Sequence, residues 1–156
     1  MRRSLLMAFW LILMGLELQA ETIFVSLLET TPDKALHNFE ASSAWESGVL
    51  DALFDLGVIV SNTPVQGSAT FNRDEARQIA REGGADLLLI VDVTYPIIPE
   101  EKSKIRAVPS TVRFSLIAVD SGRLIKELQY IPTKQSETLD EDKETAKKQT
   151  QLLYKK

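Results

Sequence analysis

The side chains that could do chemistry in this chain are few and scattered. The single histidine, His37, precedes Asn38 and Phe39 at the start of a helical pattern. A catalytic histidine needs an orienting carboxylate and a nucleophile or water beside it. Glu40 is near and serines are plentiful, but no motif links them, so His37 reads as a surface or capping residue. Three aspartates border apolar runs. A carboxylate pair could carry general acid–base work or hold calcium, yet each has a plainer role. Asp86 opens a strand after Gly83-Gly84, and Asp120 begins Asp120-Ser121-Gly122, where aspartate commonly bonds its own turn. Asp92 is an acid inside an apolar strand; it either faces solvent or pairs with a base such as Arg113 on a neighbouring strand. The first apolar segment runs into Glu29-Thr30-Thr31-Pro32-Asp33, with no glycine to let backbone amides approach a phosphate. Gly83-Gly84 falls at the wrong end of a helix for an anion. The chain has no cysteine, which excludes a thiol nucleophile, a thiolate metal site and any disulfide. No catalytic residue, metal or cofactor is therefore expected, and the chain reads as a non-enzyme.

What remains is surface. Ile97 and Ile98 lie between Pro96 and Pro99, beside the charged run Glu100–Arg106. Core burial accounts for them; exposed, they would make an apolar knob for a protein partner. Tyr95 stands at the root of that loop. On the last strand, Lys126, Glu127 and Gln129 belong to an edge, because Lys126 falls on the side that should face the core. These six residues are the candidates for partner contact. The competing reading is a small-molecule binder or hydrolase, with its site at the C-terminal ends of parallel strands, where Glu29, Asn62 and Tyr95 would gather.

The elements that must position these residues are legible from periodicity. Thr22–Leu28 is apolar on both faces and suits a central strand. From Phe39 to Leu56, the residues Ala41, Trp45, Val49, Ala52, Leu53 and Leu56 recur at spacings of three and four, widened by Leu50 and Phe54, and Gly57 offers a left-handed cap. Val58–Ser61 is a short strand of β-branched residues. Asn62–Phe71 reads as a loop. Asn72 caps a second helix with Glu75 placed for a capping box, and Gly83-Gly84 ends it. Ala85–Tyr95 and Thr111–Val119 are strands, and Asp120-Ser121-Gly122 turns the second into Leu124–Ile131, with Leu124, Leu128 and Tyr130 able to face the core. Beyond Pro132, Thr138 and Glu141 could cap a last helix striped by Leu139, Ala146 and Leu153; a frayed tail is the alternative.

The order predicts an α/β protein with a single mixed sheet of about five strands: a parallel β-α-β-α-β unit, then antiparallel hairpin strands, with helices packed on it. Residues 1–20 have the three-part layout of a signal peptide, a basic start at Arg2-Arg3, an apolar run of about twelve residues, and Ala20 before the cut. A spanning helix needs about twenty. The expected division is 1–20 signal peptide, 21–132 α/β domain, and 133–156 polar helix or tail, in the periplasm or outside the cell. Leu18 is large for its position, so an uncleaved inner-membrane anchor is the alternative. The formal net charge is −4, which argues against nucleic acid as a partner. The absence of a cysteine after the leader argues against a lipid anchor.

Three segments carry a family resemblance. They are Ser43–Leu56 feeding Val58–Ser61; Ala76-Arg77-Gln78-Ile79-Ala80-Arg81-Glu82-Gly83-Gly84-Ala85-Asp86 followed by Leu87-Leu88-Leu89; and Phe114–Val119, Asp120-Ser121-Gly122, Arg123-Leu124-Ile125. Their order resembles the envelope fold shared by the curli secretion channel family, the outer-membrane activators of penicillin-binding proteins and the amino-terminal domain of the Tol-Pal translocation protein. The resemblance implies an α/β envelope domain that binds or helps assemble another envelope protein. It brings no functional residue. The chain departs from the channel branch in lacking long membrane-spanning hairpins: Pro96–Pro109 is too short and too charged to cross a bilayer.

Overall fold

The computed structural model describes residues 21–32, 39–96, 107–134 and 136–155. The leader, His37, Ile97, Ile98 and the charged loop tip lie outside the described residues.

β1 (Thr22–Thr30) is the spine. Its side chains alternate between two apolar faces, and Ile23 to Glu29 are all buried, as a strand covered on both sides requires. It pairs in parallel with β2 (Ile59–Asn62) and β3 (Gln66–Gly67) on one side, and with β4 (Leu87–Thr94) on the other. β5 (Thr111–Ala118) runs antiparallel to β4, and β6 (Leu124–Tyr130) antiparallel to β5. The sheet order is β2-β1-β4-β5-β6, with β3 beside β1. The expected mixed sheet, parallel first and hairpin last, is what forms; β3 and a 3-10 turn at Ser68–Thr70 occupy part of the predicted loop.

The helices follow from strand order. The chain steps from β1 to β2 through α1 (Phe39–Asp55), then back across β1 to β4 through α2 (Arg73–Glu82). Right-handed crossovers in opposite directions put the two helices on opposite faces. Ala41, Trp45, Val49 and Leu53 of α1 pack on Ile23, Val25, Leu27, Leu89 and Val91. Ala76 and Ala80 of α2 pack on Phe24, Leu28, Leu88 and Ile117. Two expected core positions lie outside: Phe54 stands about 100° round the helix from buried Leu53, off the packed stripe, and Leu56 follows the last helical residue, Asp55, where the chain turns through Gly57 at φ +74°. Asn72 Oδ1 caps α2, accepting the Asp74 and Glu75 N–H groups at 3.0 and 3.3 Å.

The end of the chain forms α3 (Leu139–Tyr154). Thr138 Oγ1 accepts the Glu141 N–H at 3.2 Å, while the Glu141 carboxylate takes the Glu137 N–H at 2.7 Å, one residue before the expected reciprocal partner. α3 lies beside α1 on the same face. Ala146 and Leu153 join the α1 core and Leu139 stays partly exposed. The crossing is close: a Cβ on Gly48 would overlap the Lys143 carbonyl and stand 2.7 Å from the Ala146 methyl. Two ion pairs flank it, Lys143–Asp51 at 2.8 Å and Lys147–Asp55 at 2.7 Å. Their hydrogen bonds to Asp51 and Asp55 hold both lysines above the ordinary lysine pKa. Among the described residues, no helix is long and apolar enough to cross a membrane.

Candidate functional site

The C-terminal ends of the parallel strands carry a buried polar cluster. Ser42 Oγ, on the first turn of α1, lies 2.6 Å from Glu29 Oε2 and 3.0 Å from the Tyr95 hydroxyl. Glu29, Ser42 and Tyr95 are all at most 3% exposed. The structure thus brings together two of the three residues expected at this end. Asn62 stands apart on β2, its amide donating to Glu46 Oε1 at 3.0 Å. Ser42 is the member the sequence reading missed, although it stands three residues before Trp45 and seven before Val49, on the helix's apolar stripe. A serine on a carboxylate suggests a nucleophile, but a reacting hydroxyl must meet substrate, and Ser42 is fully buried. What the arrangement does is satisfy polar groups that burial would otherwise penalise. Tyr95 belongs to this interior and does not present its ring to the surface, because its hydroxyl is drawn toward Ser42.

The aspartates resolve as structural groups. Asp86 Oδ2 accepts the Thr22 N–H at 3.0 Å. Asp92 lies directly across from Arg113 in the β4–β5 register, and its Oδ1 accepts from Thr30 Oγ1 at 2.7 Å. In the hairpin turn the side-chain bond comes from Ser121, whose hydroxyl takes the Arg123 N–H at 3.3 Å; the Asp120 carbonyl accepts from Arg81.

Among the described residues, β6 ends the sheet as an unpaired edge. The ladder slips between Leu116 and Ile117, so Leu116 faces Lys126 and Ile117 faces Leu124, leaving Ile125 as the extra residue. A bulge of this kind moves everything beyond it to the other face. Leu128 and Tyr130 therefore pack on the α1 core, whereas Leu124, expected beside them, points to the α2 face and is exposed. Lys126 does face the α1 side, and its ammonium donates to the Lys155 carbonyl at 2.8 Å, at the C-terminus of α3, where a cation is favoured. Glu127 and Gln129 face the opposite side and are exposed, with Glu127 3.7 Å from Arg113. Ile125 and, just past the strand, Ile131 (61% exposed) add apolar surface to this edge. The far edge has its own patch in Phe54, Leu56 and Ile59.

A cleft of about 360 Å³ opens between α1, the end of β6 and the start of α3. Trp45 and Tyr130 form its aromatic part, their ring centroids 6.0 Å apart and tilted by 41°. Pro109, Pro132 and Val108 add apolar wall, and Lys134, Glu141, Asp142 and Glu144 supply charge. Ser136 donates its hydroxyl to Asp142 Oδ1. The Trp45 indole Nε1–H is buried and has no partner within the described residues, a state that costs about 1–3 kcal/mol. On the other side of α1's core, burial pushes the Tyr154 hydroxyl above the ordinary phenol pKa, and the Glu21 carboxylate adds to the effect.

No protein-family model matches the chain, and no curated protein matches it in sequence. Solved structures do. The chain is similar in fold to PelC. A variant PelC dodecamer from Paraburkholderia phytofirmans superposes with a TM-score of 0.55 at 21% identity, covering 86% of this chain and 87% of that one. A second PelC dodecamer from the same organism gives 0.51 at 19% identity, covering 86% and 84%. The LpoB C-terminal domain from Salmonella enterica gives 0.43 at 18% identity, covering 74% and 84%. The likeness to PelC spans nearly the whole of both chains and, at this identity, is one of fold. No single branch of the envelope fold named from the sequence is singled out by it.

Proposed function

We propose that this chain is an exported cell-envelope protein, without catalytic activity of its own, that works by binding or helping to assemble another envelope protein along the outer edge of its sheet. The observation that carries the reading is β6, an edge strand unpaired among the described residues, with Leu124, Ile125 and Ile131 exposed along and just beyond it. An open edge offers backbone hydrogen bonds to an added strand, and exposed alternate side chains give it specificity. Glu127 and Gln129 are placed to contribute there, while Lys126 secures the strand to α3. The PelC-like fold supports an envelope role. Against the small-molecule reading, the polar cluster at the strand ends is enclosed, so the groups that could react do not face solvent.

A second reading has its own support. The PelC structures are dodecamers, and this chain exposes two unlike apolar patches on opposite edges of one sheet. Unlike patches suit a head-to-tail contact between copies, which closes into a ring when the rotation permits.

Photo-crosslinking in intact cells tests both. A crosslinker at Gln129 should capture one envelope protein, or a second copy, in near-stoichiometric amount, while the same group at Lys148 on the exposed side of α3 should not. A clean monomer from both positions would overturn the reading.

A further inference from the structure

We infer that the row Arg73, Arg77 and Arg81 on α2 holds an extended segment of a partner protein that carries acidic side chains at alternate positions; this rests on the partner-binding reading and names the chemistry of part of the partner. The three arginines recur every four residues and form one row along the helix. At about 100° per residue the row borders buried Ala76 and Ala80 on one flank, and Glu75 and Glu82 fall on the far side. It faces the β5–β6 turn. Arg73 donates to the Gly122 carbonyl at 3.4 Å, and Arg81 to the Val119 and Asp120 carbonyls at 3.1 and 3.3 Å. The Arg77 guanidinium lies against Gly122, in space that a Cβ would fill. Those acceptors are neutral, so the row keeps its charge. Among the described residues, Arg73 and Arg81 pair with no carboxylate, and Arg77 has Asp74 at 3.8 Å, a side chain 87% exposed. Like charges four residues apart strain a helix, and an anionic occupant relieves that. A guanidinium has five N–H donors, so donors remain for forked bonds to carboxylates. The carbonyl bonds also hold the arginines in place, which reduces the rotamer freedom lost on binding. Spacing then selects the occupant. The row repeats at about 6 Å along the helix, and alternate side chains of an extended chain repeat at about 6.6 Å. Leu124, two residues beyond Gly122 and exposed on the α2 face, leads from the row to the open strand. The net charge of −4 disfavours a broad anionic surface such as a membrane and leaves a short acidic segment.

The test is a titration followed by the amide NMR signals of α2 and the β5–β6 turn. Capped Glu-Ser-Glu-Ser-Glu should shift them saturably, and salt at about 0.5 M should weaken the binding, as screening requires. Capped Glu-Glu-Glu-Ser-Ser, equal in charge and composition, should bind more weakly. Arg73→Glu should raise Kd roughly fivefold; an acid at the first residue of a helix is favoured by the dipole, so α2 should persist. Asp74→Asn removes the carboxylate beside Arg77 and should lower Kd roughly twofold. That change tightens binding, which misfolding could not do. Lys148→Glu on α3, with the same change in net charge as Arg73→Glu, should leave Kd unaltered. The inference falls if the alternating peptide leaves α2 unperturbed, if the consecutive one binds as tightly, if Lys148→Glu weakens binding as much as Arg73→Glu, or if phosphatidylglycerol vesicles bind and the peptide does not. Its failure is separable from that of the partner reading, since crosslinking at Gln129 would still capture its target.

Discussion

Gly48→Ala is the substitution for which local and tertiary physics disagree in sign. Gly48 lies inside α1, a helix of 17 residues. On helix propensity alone, alanine should stabilise an interior glycine site by about 1 kcal/mol. The α1–α3 crossing says otherwise. The new methyl would overlap the Lys143 carbonyl and lie 2.7 Å from Ala146 Cβ. Neither neighbour can swing away, since one is helix backbone and the other a methyl on it. α3 must then retreat, loosening Ala146 and Leu153 in the core and stretching the pairs of Lys143 and Lys147 with Asp51 and Asp55. Overpacking of this kind costs about 1–3 kcal/mol, here about 2–3 because helix backbone must move. Set against the propensity gain, the net is a loss of about 1–2 kcal/mol, or roughly 3–8 °C in Tm for a domain of this size. Thermal melts by circular dichroism read it directly. Ala146→Gly in the same chain should recover part of the loss, because it removes one of the two clashing groups; the double-mutant cycle gives the coupling. A Tm equal to or above wild type for Gly48→Ala would refute the close crossing.

Three further predictions use the same assay or a close relative. Gly122→Val should lower Tm, since φ is +68° there and a β-branched residue tolerates that region badly, at about 1–2 kcal/mol; an unchanged Tm would remove the turn assignment. Ser42→Ala should cost about 2 kcal/mol by taking a hydrogen-bond partner from buried Glu29 and Tyr95, and a neutral effect would mean that other groups already satisfy both. Raising the pH should loosen α3 before the rest of the fold. Lys143 and Lys147 are shifted upward from 10.5 by their bonds to Asp51 and Asp55, so their contribution is complete below that value and is lost as pH climbs through the raised one. Amide exchange of α3 followed from about pH 8 upward should show this, and Asp51→Asn should blunt it; an α3 indifferent to alkali in both proteins would sink the argument.

The parts of this fold that were legible in the sequence are those where pattern and packing agree. β1 and β4 are apolar on both faces because both faces are covered, and α1 shows its stripe because one side meets the sheet. The misses have physical causes. Strict alternation places Leu124 on the face of Leu128, but one extra residue, Ile125, inverts it, and nothing in Leu124-Ile125-Lys126 announces a bulge. α3 was ambiguous because its contact surface is made of small and polar groups. Asp142, Ala146 and Thr150 are buried there beside Leu153, and the close approach that buries them depends on Gly48 in another helix. Ser42 was hidden for the opposite reason: a serine on an apolar stripe looks like a solvent-facing neighbour until Glu29 and Tyr95 are seen beneath it. The candidate site suffered most, since a cleft is made by elements distant in sequence, and Trp45 and Tyr130 meet only after the whole sheet has formed.

Among the described residues, the outer edge of the sheet leads to the mouth of the cleft. β6 runs from Leu124 to Tyr130, and Tyr130 is both the last residue of that strand and part of the cleft. The chain then continues through Ile131, exposed, to Pro132 and Lys134 on the cleft wall. A segment added alongside β6 would be carried by its own strand geometry, at about 3.3 Å per residue, to the mouth of the cleft. Backbone pairing along the strand would set the register, and the exposed side chains of Leu124, Ile125, Glu127 and Gln129 would select the partner. Lys126 braces the strand from the inner face, donating to the Lys155 carbonyl at the far end of α3. Lys126→Ala would therefore free the C-terminus of α3 without removing a group from the outer edge. If recognition lies along the outer edge, capture at Gln129 should survive Lys126→Ala; loss of capture would show that the brace on α3 is itself part of the interface.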